Sequence, residues 1–191
     1  MKILCFGDSN TYGYDPRSYL GDRYPQQHRW VDLLSQKIGC KVINAGENGR
    51  EIPCNVVDLH RFAFLLSEWM PLDLLIIMLG TNDLLQGNTT ETVCMRMEYF
   101  LKFIDLDTSK ILLVGPPPIR RGEWVSELKL IDSSVVISFE YKSLCERLGV
   151  RFVDTTTWDI PMTFDGVHFA EEGHSAFANG LANYLDKENV L

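Results

Sequence analysis

Short apolar runs alternate with longer amphipathic stretches along the whole of this chain. Five short runs predict buried strands: Ile3–Phe6, Lys41–Asn44, Leu74–Leu79, Ile111–Val114 and Val150–Val153. Between them, hydrophobic residues three and four positions apart predict helices: Trp30–Ile38, Val56–Trp69, Val93–Ile104, about Asp132 to Leu148, and a last helix whose apolar stripe includes His174 and Leu185. The run Leu74–Leu79 is apolar at every position, which is typical of a parallel strand covered on both faces.

The order of these elements predicts the fold class. Strands that alternate with helices indicate an α/β fold, with a five-stranded parallel sheet between two layers of helices. Right-handed crossovers bring the C-terminal ends of all the strands to one edge, where ligands bind in open α/β sheets. The candidates for function are therefore the segments that follow the strands at that edge: 7–10, 46–50, 80–83, 116–118 and 165–168.

Composition narrows the classes of function. The 191 residues predict a single domain spanning residues 1–191. The net charge of −8 argues against a nucleic-acid partner, because phosphate contacts need a basic surface. No apolar run approaches the about 20 residues of a membrane-spanning helix, so we expect no membrane partner. The five cysteines are scattered without zinc-ligand spacing, which predicts no metal site and favours free thiols in the cytoplasm.

A serine, a histidine and an aspartate lie in loops at the predicted edge. Ser9 follows the first strand, whereas Asp165 and His168 follow the last one. A serine hydroxyl is a poor nucleophile until a neutral imidazole takes its proton. Residues three apart in a turn lie side by side, so Asp165 can hold Nδ1 of His168 and leave Nε2 facing Ser9. We predict that these three residues are catalytic.

Acyl transfer through a serine also needs hydrogen-bond donors for the oxyanion of the tetrahedral intermediate. The candidates are the backbone N–H groups of Ser9 and Gly49 and the side-chain amide of Asn82, with Gly49 allowing close approach of the backbone. Ser9 and Asn82 are also good helix caps, which is the alternative interpretation of both. We expect Asp8 to accept hydrogen bonds that order the loop.

Aromatic residues near the same edge are candidates for the substrate pocket. Tyr12 and Trp158 are the two that we assign to substrate binding, and Tyr14 and Trp124 lie on or near the same edge. The alternative for all four is ordinary packing beneath the loops.

Four sequence blocks in this order resemble the SGNH (GDSL-type) hydrolase family. They are Gly7-Asp8-Ser9, Gly49, Gly80-Thr81-Asn82-Asp83 and Asp165-x-x-His168. The longer strings 3–9 and 71–83 and the triple proline at 116–118 are similar to the arylesterase/acyltransferase branch. The chain departs from the family at Asn10, where leucine is usual, and we assign Asn10 to substrate binding as well.

The resemblance implies a flavodoxin-like three-layer α/β/α sandwich and a serine esterase that needs no cofactor. The expected partner is a small ester with a short acyl chain, an aryl ester included, and acyl transfer to an alcohol is a further expectation. A homo-oligomer is left open. The alternatives are a carbohydrate acetyl esterase or a lysophospholipase or thioesterase with the same triad, and a flavodoxin-like binding module without catalysis.

Overall fold

The computed structural model of the protein describes residues 1–18, 20 and 22–190. Its centre is one five-stranded sheet in which all neighbouring strands are parallel, in the order β2-β1-β3-β4-β5. The strands are β1 (Lys2–Gly7), β2 (Lys41–Gly46), β3 (Leu74–Met78), β4 (Ile111–Val114) and β5 (Arg151–Val153). This order is the flavodoxin-like one, so the predicted fold class is confirmed.

Helices cover both faces of the sheet. They are α1 (Ser9–Tyr12), α2 (Trp30–Ile38), α3 (Val56–Trp69), α4 (Thr81–Leu85), α5 (Thr90–Phe103), α6 (Leu128–Leu148) and α7 (Glu171–Lys187). Helices α2 and α7 pack on one face, and α3, α5 and α6 pack on the other. Of the helices in the described parts of the chain, none has both the length and the apolar character needed to cross a bilayer.

The central strand β1 explains how the two faces become buried. Its side chains alternate, so that Ile3 and Cys5 join the core beneath α2 and α7, while Leu4 and Phe6 join the core beneath α3, α5 and α6. All four are at most 3% exposed. Because period-two alternation sends successive side chains to opposite faces, a strand that is apolar at every position must lie between two helical layers.

The predicted and observed helices differ mainly at their first turns. Helices α2 and α3 have the predicted bounds. Helix α6 begins at Leu128, earlier than the predicted Asp132; Leu128 is exposed, but Leu130 and Ile131 of this first turn pack against apolar clusters. Helix α5 begins at Thr90, and the hydroxyl of Thr89 caps it by accepting the N–H of Thr92.

The topology brings three loops together beside β1. This strand lies between β2 and β3, so the segments that follow these strands start side by side at the same edge. Gly46 at the end of β2 lies against the backbone of Tyr12, with no room for a Cβ atom. This is the point where the strand order reverses, and open α/β sheets bind ligands there.

Candidate active site

Ser9 is the first residue of α1, and Asp8 caps that helix. The Asp8 carboxylate accepts the backbone N–H of Asn10 at 2.9 Å. The capping role that the sequence allowed for Ser9 therefore belongs to Asp8, and the Ser9 hydroxyl is not used to begin the helix. As the first residue of the helix, Ser9 also has a backbone N–H with no acceptor inside the helix.

The hydroxyl of Ser9 meets the imidazole of His168 across the edge of the sheet. The Ser9 Oγ to His168 Nε2 distance is 3.0 Å, although the residues are 159 positions apart. On the other side of the ring, His168 Nδ1 lies 2.7 Å from Asp165 Oδ2. The three side chains thus form one hydrogen-bonded chain, and all three residues are buried.

Asp165 is held by backbone as well as by the imidazole. Its Oδ1 accepts the N–H groups of Val167 at 2.8 Å and His168 at 3.0 Å, and the hydroxyl of Thr163 at 2.9 Å. Burial acts to raise the pKa of Asp165, but the hydrogen bonds from His168 and Val167 outweigh it and lower this pKa to about 2. Asp165 is therefore a carboxylate at neutral pH, able to hold a proton on Nδ1 and leave Nε2 as the acceptor.

The two other candidate oxyanion donors lie on the β2 and β3 side of Ser9. Gly49 sits in a turn with φ +73°, and a Cβ placed there would meet none of the described residues within 4 Å. The Asn82 amide donates to the carbonyl oxygen of Arg50 at 3.0 Å, which orients Nδ2 and leaves its second N–H available. Asn82 does not cap α4, because the residue at the cap position is Gly80.

A charged network joins the loop of Gly49 to the loop of Asn82, and the sequence-based prediction did not include it. Asp83, next to Asn82, is completely buried, and its carboxylate accepts Ile52 N–H at 3.0 Å and an Arg96 N–H at 2.8 Å. Arg96 also donates to Glu51 at 2.8 Å. The sequence did contain a signal for a partly buried ion pair: Arg96 lies three positions after the buried Val93, so a charged residue falls on the apolar stripe of α5.

Arg50 joins the ends of the first two strands, and no sequence pattern indicated it. Its guanidinium donates to the carbonyl oxygens of Gly7, at 2.7 Å, and of Ala45. Burial raises the pKa of Asp8 to about 6, although the N–H of Asn10 and the charges of His168 and Arg50 act to lower it. Asp8, next to Ser9, is thus a buried carboxyl group that titrates near neutral pH.

The three residues assigned to substrate binding all make contacts within the protein. Both heteroatoms of the Asn10 side chain bond to backbone: Nδ2 donates to Val167 O at 3.0 Å, and Oδ1 accepts Phe169 N–H at 2.8 Å. Tyr12 lies beneath the Arg23 guanidinium, 4.1 Å from the ring centroid. Trp158 packs on Phe177 of α7, with ring centroids 5.5 Å apart, as the packing alternative predicted.

Tyr14 and Trp124 are the aromatic residues that the structure brings to His168. Their ring centroids lie 4.8 Å and 5.2 Å from the imidazole, and both meet it edge to face. Trp124 is 54% exposed, and Phe164, which lies in the loop that carries His168, is 50% exposed. The backbone N–H of Trp124 donates to Asp165 O at 3.2 Å, so this rim is attached to the loop that carries His168.

A cavity of about 430 Å³ opens beside Gly49. Phe6 and Phe62 line its floor, and charged groups line much of the rest: Glu47, Arg50, Glu51, Asp58 and Arg61. The site thus has aromatic rings beside His168, and a polar, charged cavity adjoins Gly49 without including Ser9 or His168 in its lining.

Comparison with known proteins identifies the class to which this fold and site belong. The GDSL-like Lipase/Acylhydrolase family matches residues 5–176. The match covers most of the chain, so the protein belongs to this family, which is a family of ester hydrolases. The predicted family is confirmed.

Solved structures give similar proteins over the full length. A protein from Agrobacterium tumefaciens str. C58, provisionally named an arylesterase, is 30% identical, with coverage of 100% of this chain and 99% of that chain and a TM-score of 0.85. The native M. smegmatis aryl esterase is 25% identical, with 97% and 98% coverage and a TM-score of 0.82. A carbohydrate acetylesterase family member from Sinorhizobium meliloti is 26% identical, with 96% coverage of each chain and a TM-score of 0.82. A search of the curated proteins gives no match.

Proposed function

We propose that this protein is a serine esterase that hydrolyses short-chain acyl esters through an acyl-enzyme. The observation that carries the proposal is the hydrogen-bonded chain from Ser9 through His168 to Asp165, with distances of 3.0 Å and 2.7 Å. A nucleophile, a base and a group that orients the base are the parts that such a reaction needs.

Acylation begins when Ser9 Oγ bonds to the carbonyl carbon of the ester and its proton passes to His168 Nε2. The carbonyl oxygen becomes an oxyanion, which accepts hydrogen bonds from the N–H groups of Ser9 and Gly49 and from the Asn82 amide. Collapse of this intermediate breaks the bond to the alkoxy oxygen, and Nε2 returns the proton to the departing alcohol. Asp165 stays ionised throughout and stabilises the imidazolium.

Deacylation repeats these steps with water. The water oxygen bonds to the acyl carbon, its proton goes to Nε2, and collapse releases the carboxylic acid while Ser9 Oγ regains a proton. An alcohol that replaced this water would give acyl transfer instead. The rings of Tyr14 and Trp124 beside His168, of which Trp124 is 54% exposed, support an ester with an aryl or other apolar group, because such groups gain most from contact with aromatic rings.

A second candidate is the deacetylation of acetylated carbohydrates. It is favoured by the charged cavity beside Gly49, where Glu47, Asp58 and Arg61 offer hydrogen-bond partners to sugar hydroxyls. A substrate panel distinguishes the two candidates: p-nitrophenyl esters of increasing acyl length against acetylated sugars. The higher kcat/KM identifies the preferred class.

Replacement of the nucleophile tests the proposal. Ser9→Ala should lower kcat on p-nitrophenyl acetate by about 10⁶-fold, because the acyl-enzyme can no longer form. Ser67→Ala removes an exposed hydroxyl on α3 and serves as the matched control, with unchanged turnover expected. Unchanged turnover in Ser9→Ala, with the protein still folded, would refute the assignment.

A fluorophosphonate probe separates an esterase from an inert binding module. The probe should label Ser9 stoichiometrically in the native protein and leave Ser9→Ala unlabelled. Failure to label the native protein would favour the binding module.

A further inference from the structure

Asn10 connects the segment that carries Ser9 to the segment that carries His168. Its amide nitrogen donates to Val167 O at 3.0 Å, and its amide oxygen accepts Phe169 N–H at 2.8 Å. These two backbone groups belong to the residues immediately before and after His168. The side chain therefore holds the backbone on both sides of the imidazole.

The rest of Asn10 is anchored equally firmly. Its backbone N–H donates to Asp8 Oδ1 at 2.9 Å, and its carbonyl oxygen accepts the indole N–H of Trp30 at 3.0 Å. Trp30 is 1% exposed and Asn10 itself is 6% exposed. Asn10 is thus fixed by α1 and by the core, and its side chain holds the loop that carries His168.

Few other contacts could do this. Within the described part of the chain, three hydrogen bonds join residues 8–12 to residues 163–169, and two of them involve the Asn10 amide. The third is the Ser9–His168 contact, which is the one that changes during the reaction. Asp165 sets the orientation of the imidazole from within the His168 loop, but it does not join that loop to Ser9.

We infer that Asn10 is a positioning residue that sets the distance between Ser9 Oγ and His168 Nε2, rather than a residue that contacts substrate. The inference rests on the proposed function, since it concerns the efficiency of proton transfer from Ser9. An aliphatic side chain here would leave the carbonyl of Val167 and the N–H of Phe169 without these partners and would free the His168 loop to move.

Asn10→Leu tests this with a split between kcat and KM. We expect kcat on p-nitrophenyl acetate to fall about 10- to 100-fold, because a misplacement of about 1 Å in a catalytic group has effects of this size. KM should stay within about twofold, since no substrate contact is lost. A raised KM with unchanged kcat would overturn the inference in favour of substrate binding.

The same substitution in a His168→Ala background distinguishes positioning from general structural damage. Without His168 there is no base to position, so Asn10→Leu should change the residual rate by less than about twofold. A loss as large as that in the native background would overturn the inference. Circular dichroism on every variant establishes that it is folded.

Asn10→Asp is the conservative variant, and it predicts a distinctive pH profile. A protonated carboxyl group has nearly the shape of the amide and can supply the same donor to Val167 O and the same acceptor to Phe169 N–H, whereas the carboxylate cannot donate to Val167 O. The ratio of its kcat to that of the native protein should therefore rise as the pH falls, while the ratio for Asn10→Leu stays flat. A ratio for Asn10→Asp that falls as the pH falls, or that stays flat at the low level of Asn10→Leu, would overturn the inference. Asp8, Asp165 and His168 are the titratable neighbours that influence this titration.

The rate of Ser9 labelling by a fluorophosphonate separates the failure of this inference from the failure of the proposed function. If the native protein is labelled and Asn10→Leu is labelled about 10- to 100-fold more slowly, both proposals are supported. If the two are labelled at the same rate, Asn10 does not position the base, although the esterase proposal stands. If the native protein is not labelled at Ser9, the esterase proposal fails, and this inference fails with it.

Discussion

The two sides of the site are held in place by different interactions. On the side of Ser9 and His168, a neutral amide, Asn10, joins two loops through backbone hydrogen bonds that are buried. On the side of Gly49 and Asn82, the loops are joined by Arg96, whose side chain is 26% exposed and which pairs with two carboxylates.

This difference also appears in two buried carboxyl groups, those of Asp8, just before Ser9, and Asp83, just after Asn82. Asp8 accepts a backbone N–H, whereas Asp83 accepts a guanidinium N–H in addition to a backbone one. Burial raises the pKa of both groups, and Arg96 opposes this shift at Asp83. Asp83, beside the proposed oxyanion donor Asn82, is thus held by an ion pair with Arg96, whereas Asp8, beside Ser9, is held by a backbone hydrogen bond. The two sides should respond differently to mutation and to pH.

The largest effect is expected from removal of Asn82, the proposed side-chain donor to the oxyanion. Asn82→Ala should lower kcat about 100- to 1,000-fold with little change in KM, because the lost hydrogen bond strengthens only in the transition state. Asn88→Ala is the matched control. Asn88 lies just beyond α4, and its amide also donates to a backbone carbonyl, that of Asp83. Steady-state kinetics on p-nitrophenyl acetate check this. An equal loss in the two variants would contradict a specific role for Asn82.

The next effect concerns Asp8 and stability. Its pKa is raised from the ordinary 3.8 to about 6, so the folded state disfavours the ionised form. The free energy of unfolding is therefore unaffected by this group below about pH 4. It falls by about 3 kcal/mol as the pH rises through 6, because the unfolded state then ionises Asp8 more readily than the folded state. Asp8→Asn removes this titration, so its free energy of unfolding relative to the native protein should increase by that amount between pH 4 and pH 7. Urea unfolding at the two pH values measures the difference, and a constant difference would contradict the prediction.

The smallest effect is expected from the ionic connection of the oxyanion loops. Arg96→Met should lower kcat about tenfold, because it relaxes the loops of Gly49 and Asn82 without removing either donor. The matched control is Arg147→Met on α6. It breaks an exposed ion pair with Glu98, which lies on α5 as Arg96 does, and it should leave kcat unchanged. If Arg96→Met has native kcat, the network supports stability alone and does not position the oxyanion donors.

Much of the fold could be predicted because its signals are local. The spacing of Trp30, Leu34 and Ile38 predicts α2, and glycine at 39 adopts the left-handed conformation that ends the helix. The uniformly apolar β3 indicates a strand covered on both faces. The meeting of Ser9 and His168 could also be anticipated, because parallel strands place the loops that follow them at one edge.

The substrate residues could not be predicted in the same way. The sequence offered four aromatic residues near the edge; the assignment chose Tyr12 and Trp158, whereas the two whose rings contact His168 are Tyr14 and Trp124. An aromatic side chain in a loop has the same local pattern whether it faces a substrate or packs on a helix, as Trp158 does against Phe177. Only the path of the loop distinguishes the two.

The sequence by itself determined the elements, their order and the chemical groups at the edge of the sheet, because hydrophobic periodicity and short loop motifs are properties of neighbouring residues. The tertiary structure alone decided which groups hold the others in place. The partners of Asn10 lie 157 and 159 residues away, and Arg96 reaches Glu51 across 45 residues. Contacts at such separations depend on how the helices and loops pack, so no local pattern in the chain specifies them.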